Sequence, residues 1–285
     1  MKQLIVNADD FGLHENINLG IIEGHAKGCI TSTTIMLGAP AFEQAADLAA
    51  AHPQLGVGIH LTLVGGHPVA NPEYIKSLVD NEGMFCDSYP LFLKKICLGD
   101  IRLDDVWREL SAQVNKAVAA GIQITHLDSH QHMHVVPGIL EVVLGIAKEF
   151  KIRAMRIPAE PVLFRGGFKA GVGRIIGRSG LTMLSSLARA KARKNGLVVP
   201  DRFYGMLAGG SMDERLLLNI IGSLPDGITE VMVHPGLDDT ALNNTFTWGY
   251  HWQQELNAVI SSQVIGRLEQ ENIKLISFAA MNKGG

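Results

Sequence analysis

Two adjacent carboxylates, Asp9 and Asp10, follow the first apolar run of this chain. The run at residues 4–6 reads Leu-Ile-Val, and its β-branched residues predict a buried first strand that ends at the two acids. Like charges beside a buried strand repel each other unless a cation or a shared proton offsets the repulsion. The pair therefore predicts a positively charged partner at this point of the fold.

Several imidazoles follow later apolar runs and could complete such a site. They are His60 in Gly-Ile-His-Leu-Thr-Leu, His234 in Val-Met-Val-His-Pro-Gly, and a cluster of His126, Asp128, His130, His132 and His134. Two imidazoles and one carboxylate form a common ligand set for a divalent cation that leaves positions open for water and substrate. A second carboxylate beside that set can act as a base, and a histidine on the far side can act as an acid. The residue types therefore predict a metal centre with acid–base chemistry.

Each of these residues also has an ordinary structural interpretation. An Asp-Asp pair alone is more often a solvated turn or a helix cap, and a lone His60 is more often a core histidine bonded to a backbone carbonyl. Alternate polar residues from 126 to 134 would all face one side of a strand, which a fully buried strand does not tolerate. We therefore expect the strand to end near Asp128, with His130 reaching the site from a loop. His132 and His134 are then expected to line the rim of the site or cap the next helix.

The apolar pattern alternates between strand and helix along the chain. Strands are predicted near residues 3–7, 32–37, 56–63, 123–128, 153–157 and 229–234, and helices near 15–27, 41–51, 103–120, 137–150 and 213–223. A last helix near 251–272 precedes a final strand at 274–278. The alternation gives about seven or eight β/α units, so it predicts an α/β fold with a closed or nearly closed parallel barrel.

Five of the predicted strands end on candidate site residues. The polar residues at their carboxyl ends are Asp9, Asp10, His60, Asp128, His130, Arg156 and His234. Parallel α/β folds collect their active sites at this end of the sheet. Chance placement would scatter polar residues over strand starts and helix faces, so the convergence favours a functional site.

Composition narrows the class of protein. The chain has 285 residues, 47% of them hydrophobic, which is enough for a large core, and its net charge of -3 argues against a nucleic-acid partner. Its three cysteines form no C-x-x-C pair and indicate neither a disulfide framework nor a thiolate zinc site. The apolar stretch before Asn7 is too short for a signal-peptide core, and no run is long enough to span a bilayer. We therefore expect a cytoplasmic protein.

Five segments of the chain, taken in order, resemble one protein family. They are Leu-Ile-Val-Asn-Ala-Asp-Asp-Phe-Gly-Leu (4–13), Thr-Ser-Thr-Thr (31–34), Gly-Ile-His-Leu (58–61), Thr-His-Leu-Asp-Ser-His-Gln-His-Met-His (125–134) and Val-His-Pro (233–235). Together they resemble the YdjC-like carbohydrate deacetylases, the family of chitooligosaccharide deacetylase. Arg-Ile-Pro (156–158) and Pro-Asp-Arg-Phe-Tyr-Gly (200–205) look more like the branch linked to hopanoid biosynthesis.

The resemblance implies a fold and an activity. It implies a deformed TIM-like (β/α) barrel as a single domain over residues 1–285, with a helical insertion at 160–204. The implied activity is hydrolysis of the N-acetyl group of an N-acetylglucosamine-type amino sugar, carried on a hopanoid lipid or, alternatively, in a soluble chitooligosaccharide. A homodimer is compatible with this family.

The resemblance also assigns roles to residues. The implied metal ligands are Asp10, His60 and His130, which would hold Zn²⁺ or Mg²⁺. Asp9 would be the general base and His234 the general acid, and Arg156 resembles the arginine that steadies the base in related metal-dependent deacetylases. The cation would polarise the acetyl carbonyl and lower the pKa of its water from about 15.7 toward roughly 7 to 9.

One segment departs from a plain barrel. Between Glu160 and Asp201 the sequence has no acidic residue but eight basic ones, interleaved with aliphatic residues. The simpler interpretation is a solvated helical excursion whose apolar face packs on the barrel. The alternative is a basic amphipathic lid that contacts an anionic membrane at its cytoplasmic face.

Two other functions stay open at this point. Non-haem iron oxygenases also use two histidines and one carboxylate, but they do not require a second acid such as Asp9 beside the ligand. A non-catalytic sugar- or lipid-binding protein on a degenerate scaffold is the other alternative. The presence of both Asp9 and His234 counts against it.

Overall fold

The computed structural model describes residues 1–164 and 166–281. The strands are β1 (Lys2–Phe11), β2 (Ser32–Ile35), β3 (Gly56–Leu61), β4 (Ile124–Ser129), β5 (Arg202–Tyr204), β6 (Gly227–Val233) and β7 (Lys274–Leu275). The helices are α1 (Glu15–Lys27), α2 (Phe42–Ala51), α3 (Tyr89–Leu98), α4 (Leu103–Ala119), α5 (Ile139–Glu149), α6 (Val172–Lys194), α7 (Glu214–Ser223), α8 (Asp239–Thr245), α9 (Trp252–Val259), α10 (Ser262–Gln270) and α11 (Phe278–Met281). Short 3₁₀ helices cover Pro72–Tyr74 and His130–Val135.

The strands form one parallel sheet with helices packed against it. Its order is β4-β3-β2-β1-β6-β5, and β7 also pairs with β1. Parallel strands need crossover connections, and here helices supply most of them. The predicted α/β class is confirmed, as an α/β fold built on a parallel half-barrel sheet.

The first strand shows how the sheet separates two apolar regions. Successive side chains of a strand point to opposite faces. Leu4, Val6 and Ala8 belong to the large core, whereas Ile5 belongs to a small cluster with Ala154, Ile276 and Phe278. Asn7 and Asp9 follow Ile5 at alternate positions, so the polar site lies beyond this small apolar cluster along the strand.

Two elements at the edge of the sheet differ from the prediction. The predicted strand at 153–157 forms only single bridges, Leu127 with Met155 and Ala154 with Val198. Pro158 has no backbone N–H and limits a longer ladder there. The final strand is also short, since helix α11 begins at Phe278, where the prediction extended the strand.

The predicted long helix near 251–272 is divided into α9 and α10. Ser261 lies between them as the N-cap of α10, where its hydroxyl accepts a hydrogen bond from the backbone N–H of Gln263 (3.1 Å). Hydroxyl caps of this kind favour a helix start. Strand β1 is longer than predicted, because it continues through both acids to Phe11.

The predicted helical insertion contains α6, a helix of 23 residues. Arg165, one of the basic residues of this segment, lies outside the described residues. Across the described part of the chain, no helix is both long enough and apolar enough to cross a membrane.

Candidate active site

A bulge at the end of β1 presents both acids to the same site. The register with β2 shifts between Ala8 and Phe11, and Asp10 has a left-handed backbone (φ 68°). Adjacent residues of a regular strand point to opposite faces, but a bulge re-aims one of them. Asp and Asn tolerate this backbone region better than most residues. The strand thus ends in a distortion that lets Asp9 and Asp10 both lie close to His60.

Asp10, His60 and His130 converge on one point. Asp10 Oδ1 lies 3.4 Å from His60 Nε2 and 3.4 Å from His130 Nδ1, and the three ligand atoms all lie within 4.8 Å of one another. Asp10 Oδ1 is buried and has no hydrogen-bond partner among the described residues. A buried carboxylate oxygen without a donor is costly. A divalent cation would satisfy it, so these residues fit a metal centre.

Asp128 orients the His60 ring. Asp128 Oδ1 accepts a hydrogen bond from His60 Nδ1 (2.8 Å), and Thr34 Oγ1 donates to Asp128 Oδ2 (3.1 Å). His60 and Asp128 are direct partners in the register of β3 and β4. Burial by itself lowers the pKa of His60, but Asp128 outweighs it and raises the pKa to about 9. A carboxylate behind a histidine fixes its ring and strengthens it as a metal ligand.

Arg156 binds Asp9, the other acid at the end of β1. Its Nη1 donates to Asp9 Oδ2 and its Nη2 to Asp9 Oδ1, both at 2.6 Å, while Asn7 Nδ2 donates to Asp9 Oδ1 at 2.9 Å. Burial would raise the pKa of Asp9, but Arg156 holds it well below its usual range. Asp9 is therefore ionised and fixed beside His60, without belonging to the group of Asp10.

The same guanidinium contacts two further acids. Its Nη1 lies 2.7 Å from Asp128 Oδ2, and its Nε donates to Glu230 Oε1 at 2.7 Å. Arg156, Asp9, Asp128 and Glu230 are all buried. Burial outweighs the attraction of Arg156 at Glu230 and raises the pKa of this carboxyl to about 7. One guanidinium thus links Asp9 to Asp128, the acid that orients His60.

His234 reaches the site from β6. Ala8 and Val233 are register partners, so His234 follows β6 at the level of Asp9 on β1. Glu255 Oε2 accepts a hydrogen bond from the backbone N–H of His234 (2.5 Å) and lies 3.8 Å from its Nδ1. Burial would lower the pKa of His234, but Glu255, Asp10 and Asp9 raise it. These acids therefore favour the protonated form of His234.

Two other histidines of the cluster, His132 and His134, lie outside the metal group. His132 and His134 are buried, contrary to the expectation that they line the rim or cap a helix, and the N-cap of α5 is Gly138. His134 bonds to Ser129 Oγ (2.6 Å) and to the backbone oxygen of Arg156 (3.0 Å), so it fixes the segment that carries this arginine. The chain turns sharply after His130 because Gln131 and His132 both have left-handed backbones.

His126 lies farther down the strand, away from the metal group. It stacks on Phe278 with ring centroids 3.7 Å apart, and burial lowers its pKa to about 3. It is therefore a neutral core residue.

A cleft of about 620 Å³ opens beside His130. Its lining comes from loops at the carboxyl ends of β1, β2 and β3 and from the segment after α8. Phe246 and Trp248 line one side of it, and Tyr250 packs against Trp248 with ring centroids 5.5 Å apart. These three residues are here called the aromatic wall. Trp248 lies 5.7 Å from His130 and Tyr250 lies 5.0 Å from His234, measured between ring centroids. The wall therefore connects the metal group with the candidate acid.

Sequence reasoning assigned no role to several residues of this site. They are Thr34, Asp128 as the partner of His60, Glu230, Tyr250, Trp248 and Glu255. A carboxylate inside the apolar run of β6 and another in α9 were signals of buried acids. The alternate aromatic residues at 246, 248 and 250 were a signal of a binding surface.

Comparison with known proteins places these features in a family. The family model of YdjC-like proteins matches residues 3–270. A protein named carbohydrate deacetylase from Clostridium beijerinckii is 33% identical over 97% of this chain and 98% of its own length. Another of that name from Brevibacillus brevis is 32% identical over 98% of this chain and 99% of its own.

A solved structure agrees with the fold. A crystal structure from Enterococcus faecalis V583, of a protein named for cellobiose-phosphate cleavage, matches with a TM-score of 0.78 and 26% identity. The match covers 98% of each chain. The chain belongs to the family of YdjC-like proteins.

Proposed function

We propose that this protein is a metal-dependent hydrolase that removes the N-acetyl group from an N-acetylglucosamine-type amino sugar. The observation that carries the proposal is the convergence of Asp10, His60 and His130, with Asp9 and His234 both close to them. The names of the related proteins support the same activity. The non-haem oxygenase alternative leaves the ionised, buried Asp9 without a task.

Each polar group has a distinct task in this reaction. A divalent cation held by Asp10, His60 and His130 would polarise the acetyl carbonyl and the attacking water. Asp9 would accept the proton of that water through a lone pair that Arg156 leaves free. Because the pKa of Asp9 is low, this transfer depends on the cation making the water more acidic. Arg156 fixes the carboxylate in place through two parallel hydrogen bonds.

His234 is the proposed general acid. Amide hydrolysis needs a proton at the leaving nitrogen, because a free amide anion is a very poor leaving group. The acids around His234 raise its pKa, which favours the protonated form that this task requires. Glu255 would hold the ring through its backbone and balance the charge.

The cleft favours a partly apolar substrate without a negative charge. Besides the proposed metal ligand His130, its lining includes the apolar residues Leu13, Met36, Phe246 and Trp248. Glu15 also lines it, and no Lys or Arg occurs among its described lining residues. The C–H face of a pyranose can pack on an aromatic ring, and an apolar aglycone can pack on the aliphatic part. This lining supports a glycolipid such as a hopanoid-linked amino sugar, and the aromatic wall supports a soluble chitooligosaccharide as the second candidate.

Four finer features belong to the same proposal. We infer a single domain with a deformed TIM-like barrel, because the bridges at residues 154–155 and 198 continue the sheet beyond β4 toward β5. Two imidazole ligands favour Zn²⁺ over Mg²⁺. We place the protein in the cytoplasm, at the inner face of the membrane when the substrate is a lipid. A homodimer is the remaining part of the proposal, and light scattering would measure it.

Acetate release from a panel of substrates tests the activity. The panel contains an N-acetylglucosaminyl lipid, chitooligosaccharides and the same sugars already deacetylated, which serve as the blank. Cation-dependent acetate release from at least one acetylated substrate is expected, and it should vanish in Asp9→Asn. Binding of the sugars without any acetate release would instead favour the non-catalytic alternative.

A further inference from the structure

Helix α6 carries an exposed apolar stripe. The stripe consists of Val172, Ile176, Met183 and Leu187, whose side chains are 64% to 73% exposed. At 3.6 residues per turn these positions lie within roughly 60° of each other around the helix. The buried residues Arg178, Ser185, Ala188 and Ala192 lie on the opposite face. The helix therefore packs on the protein through a face of mostly small and polar residues together with Leu181, and it turns the four aliphatic side chains of the stripe outward.

The segment before α6 also exposes aliphatic side chains. Leu163 is 96% exposed and Val162 is 47% exposed. The buried guanidinium of Arg178 holds this segment against the helix, because it donates to the backbone oxygens of Phe164 (2.9 Å) and Val162 (2.6 Å). Scattered exposed aliphatic residues are common, but aligned ones mark an interaction surface.

The charge of this region is positive. Residues 161–200 include no acid, and Lys169 and Lys194 are exposed at the two ends of α6. Part of the basic charge is paired, since Lys191 contacts Glu141 and Arg193 contacts Asp201 (3.3 Å). The remaining charge matches an anionic partner. A second copy of the chain docked stripe to stripe would bring two basic helices together.

Helix α6 packs close to the candidate site. It contacts the 3₁₀ helix that begins at His130, and Arg174 donates to the backbone oxygen of Leu207 (3.3 Å). The stripe lies on the opposite face of the helix, so it is free to meet a partner while α6 stays packed beside the site.

We propose that the apolar stripe of α6 docks this protein onto an anionic lipid surface. The aliphatic side chains would enter the region between headgroups and acyl chains, and the flanking lysines would contact the lipid phosphates. This docking rests on the proposed function, because a membrane surface is useful to the protein only when its sugar substrate is linked to a lipid. Binding to vesicles, however, requires no turnover.

Vesicle binding by two matched variants tests the proposal. In Ile176→Gln/Leu187→Gln the stripe loses two aliphatic side chains that are 66% and 64% exposed, so the fold is not expected to suffer. The matched control is Leu98→Gln/Val118→Gln, at residues that are 65% and 54% exposed on other helices. Flotation with vesicles of phosphatidylglycerol and phosphatidylcholine, and with phosphatidylcholine alone, measures partitioning at low and high salt.

The parent protein and the control should bind the anionic vesicles and release them as salt rises, since screening removes the charge attraction. The stripe variant should bind at least about tenfold more weakly, because each aliphatic side chain contributes apolar area to the interface. Both variants should retain acetate release from a soluble chitooligosaccharide, so failure of docking and failure of the proposed activity are distinguishable.

Three results would overturn the docking proposal. The first is no binding of the parent to anionic vesicles, and the second is equal binding of the parent and the stripe variant. The third is a parent dimer in light scattering that the stripe variant dissolves, which would assign the stripe to contact between copies. Reversing the charges of Arg189, Lys191 and Arg193 is a poorer test, because all three contact Asp201 or Glu141.

Discussion

Replacing Glu230 with Gln should change the pH dependence of stability. Glu230 is fully buried, and its Oε1 accepts the Nε hydrogen bond of Arg156 while its Oε2 has no partner among the described residues. Burial raises its pKa from 4.5 to about 7, although Arg156 opposes this. The folded protein therefore prefers protonated Glu230, whereas the unfolded chain ionises it at lower pH.

The sign and size of the effect follow from this shift. Between about pH 4.5 and pH 7 the folded state binds more protons at Glu230 than the unfolded state, so this residue makes the protein less stable as pH rises. At 1.36 kcal/mol per pKa unit, the accumulated loss is roughly 3 kcal/mol above pH 7. Gln keeps the acceptor for Arg156 and does not ionise. The free energy of unfolding of the variant relative to the parent should therefore rise by roughly 2.5 kcal/mol between about pH 5 and pH 8, because part of the loss has already accumulated at pH 5.

Urea unfolding followed by tryptophan fluorescence at these two pH values measures the difference. Glu269→Gln is the control, because Glu269 is exposed and its replacement should leave the difference constant. An offset that is the same at both pH values for Glu230→Gln would refute the reasoning. It would mean that Arg156 keeps Glu230 ionised throughout this range.

Three further substitutions probe separate parts of the site. Asp9→Asn should reduce acetate release by about 10²-fold or more while cation content stays near that of the parent, because the amide keeps the shape but is not basic. His234→Ala should slow hydrolysis of the amide by about 10²–10⁴-fold and that of an acetyl ester less, since an alkoxide leaves more readily; equal losses on both would indicate a structural role. Trp248→Ala should raise KM for chitooligosaccharides by about tenfold with little change in kcat, whereas unchanged KM would remove the aromatic wall from substrate binding.

Local patterns made much of the architecture predictable. The helices near α1, α2, α4, α5 and α7 and the strands around the site follow from apolar periodicity, which depends only on neighbouring residues. The family resemblance is confirmed by the family model and the relatives. The strand predicted at residues 153–157 agrees least with the structure, because its pairing depends on distant residues and is limited by Pro158.

The candidate ligands were predictable in type but not in arrangement. Adjacent acids on a strand should point to opposite faces, and only the bulge with left-handed Asp10 explains how both lie near His60. The pairing of Asp128 with His60 depends on the register of β3 and β4, which no local pattern gives. Arg156 was placed at the site, but its contact with three buried acids requires the folded sheet. The roles of all six candidate residues remain predictions.

Cation binding measured together with turnover tests the central claim most directly. The protein is stripped with a chelator and titrated calorimetrically with Zn²⁺ or Mg²⁺, and acetate release is followed in the same samples for the parent and for His60→Ala. The parent should bind a single cation per chain and regain activity in proportion to it, while His60→Ala should lose binding and activity together. Full activity of the stripped parent, or binding and turnover by His60→Ala equal to the parent's, would contradict a metal-dependent deacetylase centred on Asp10, His60 and His130.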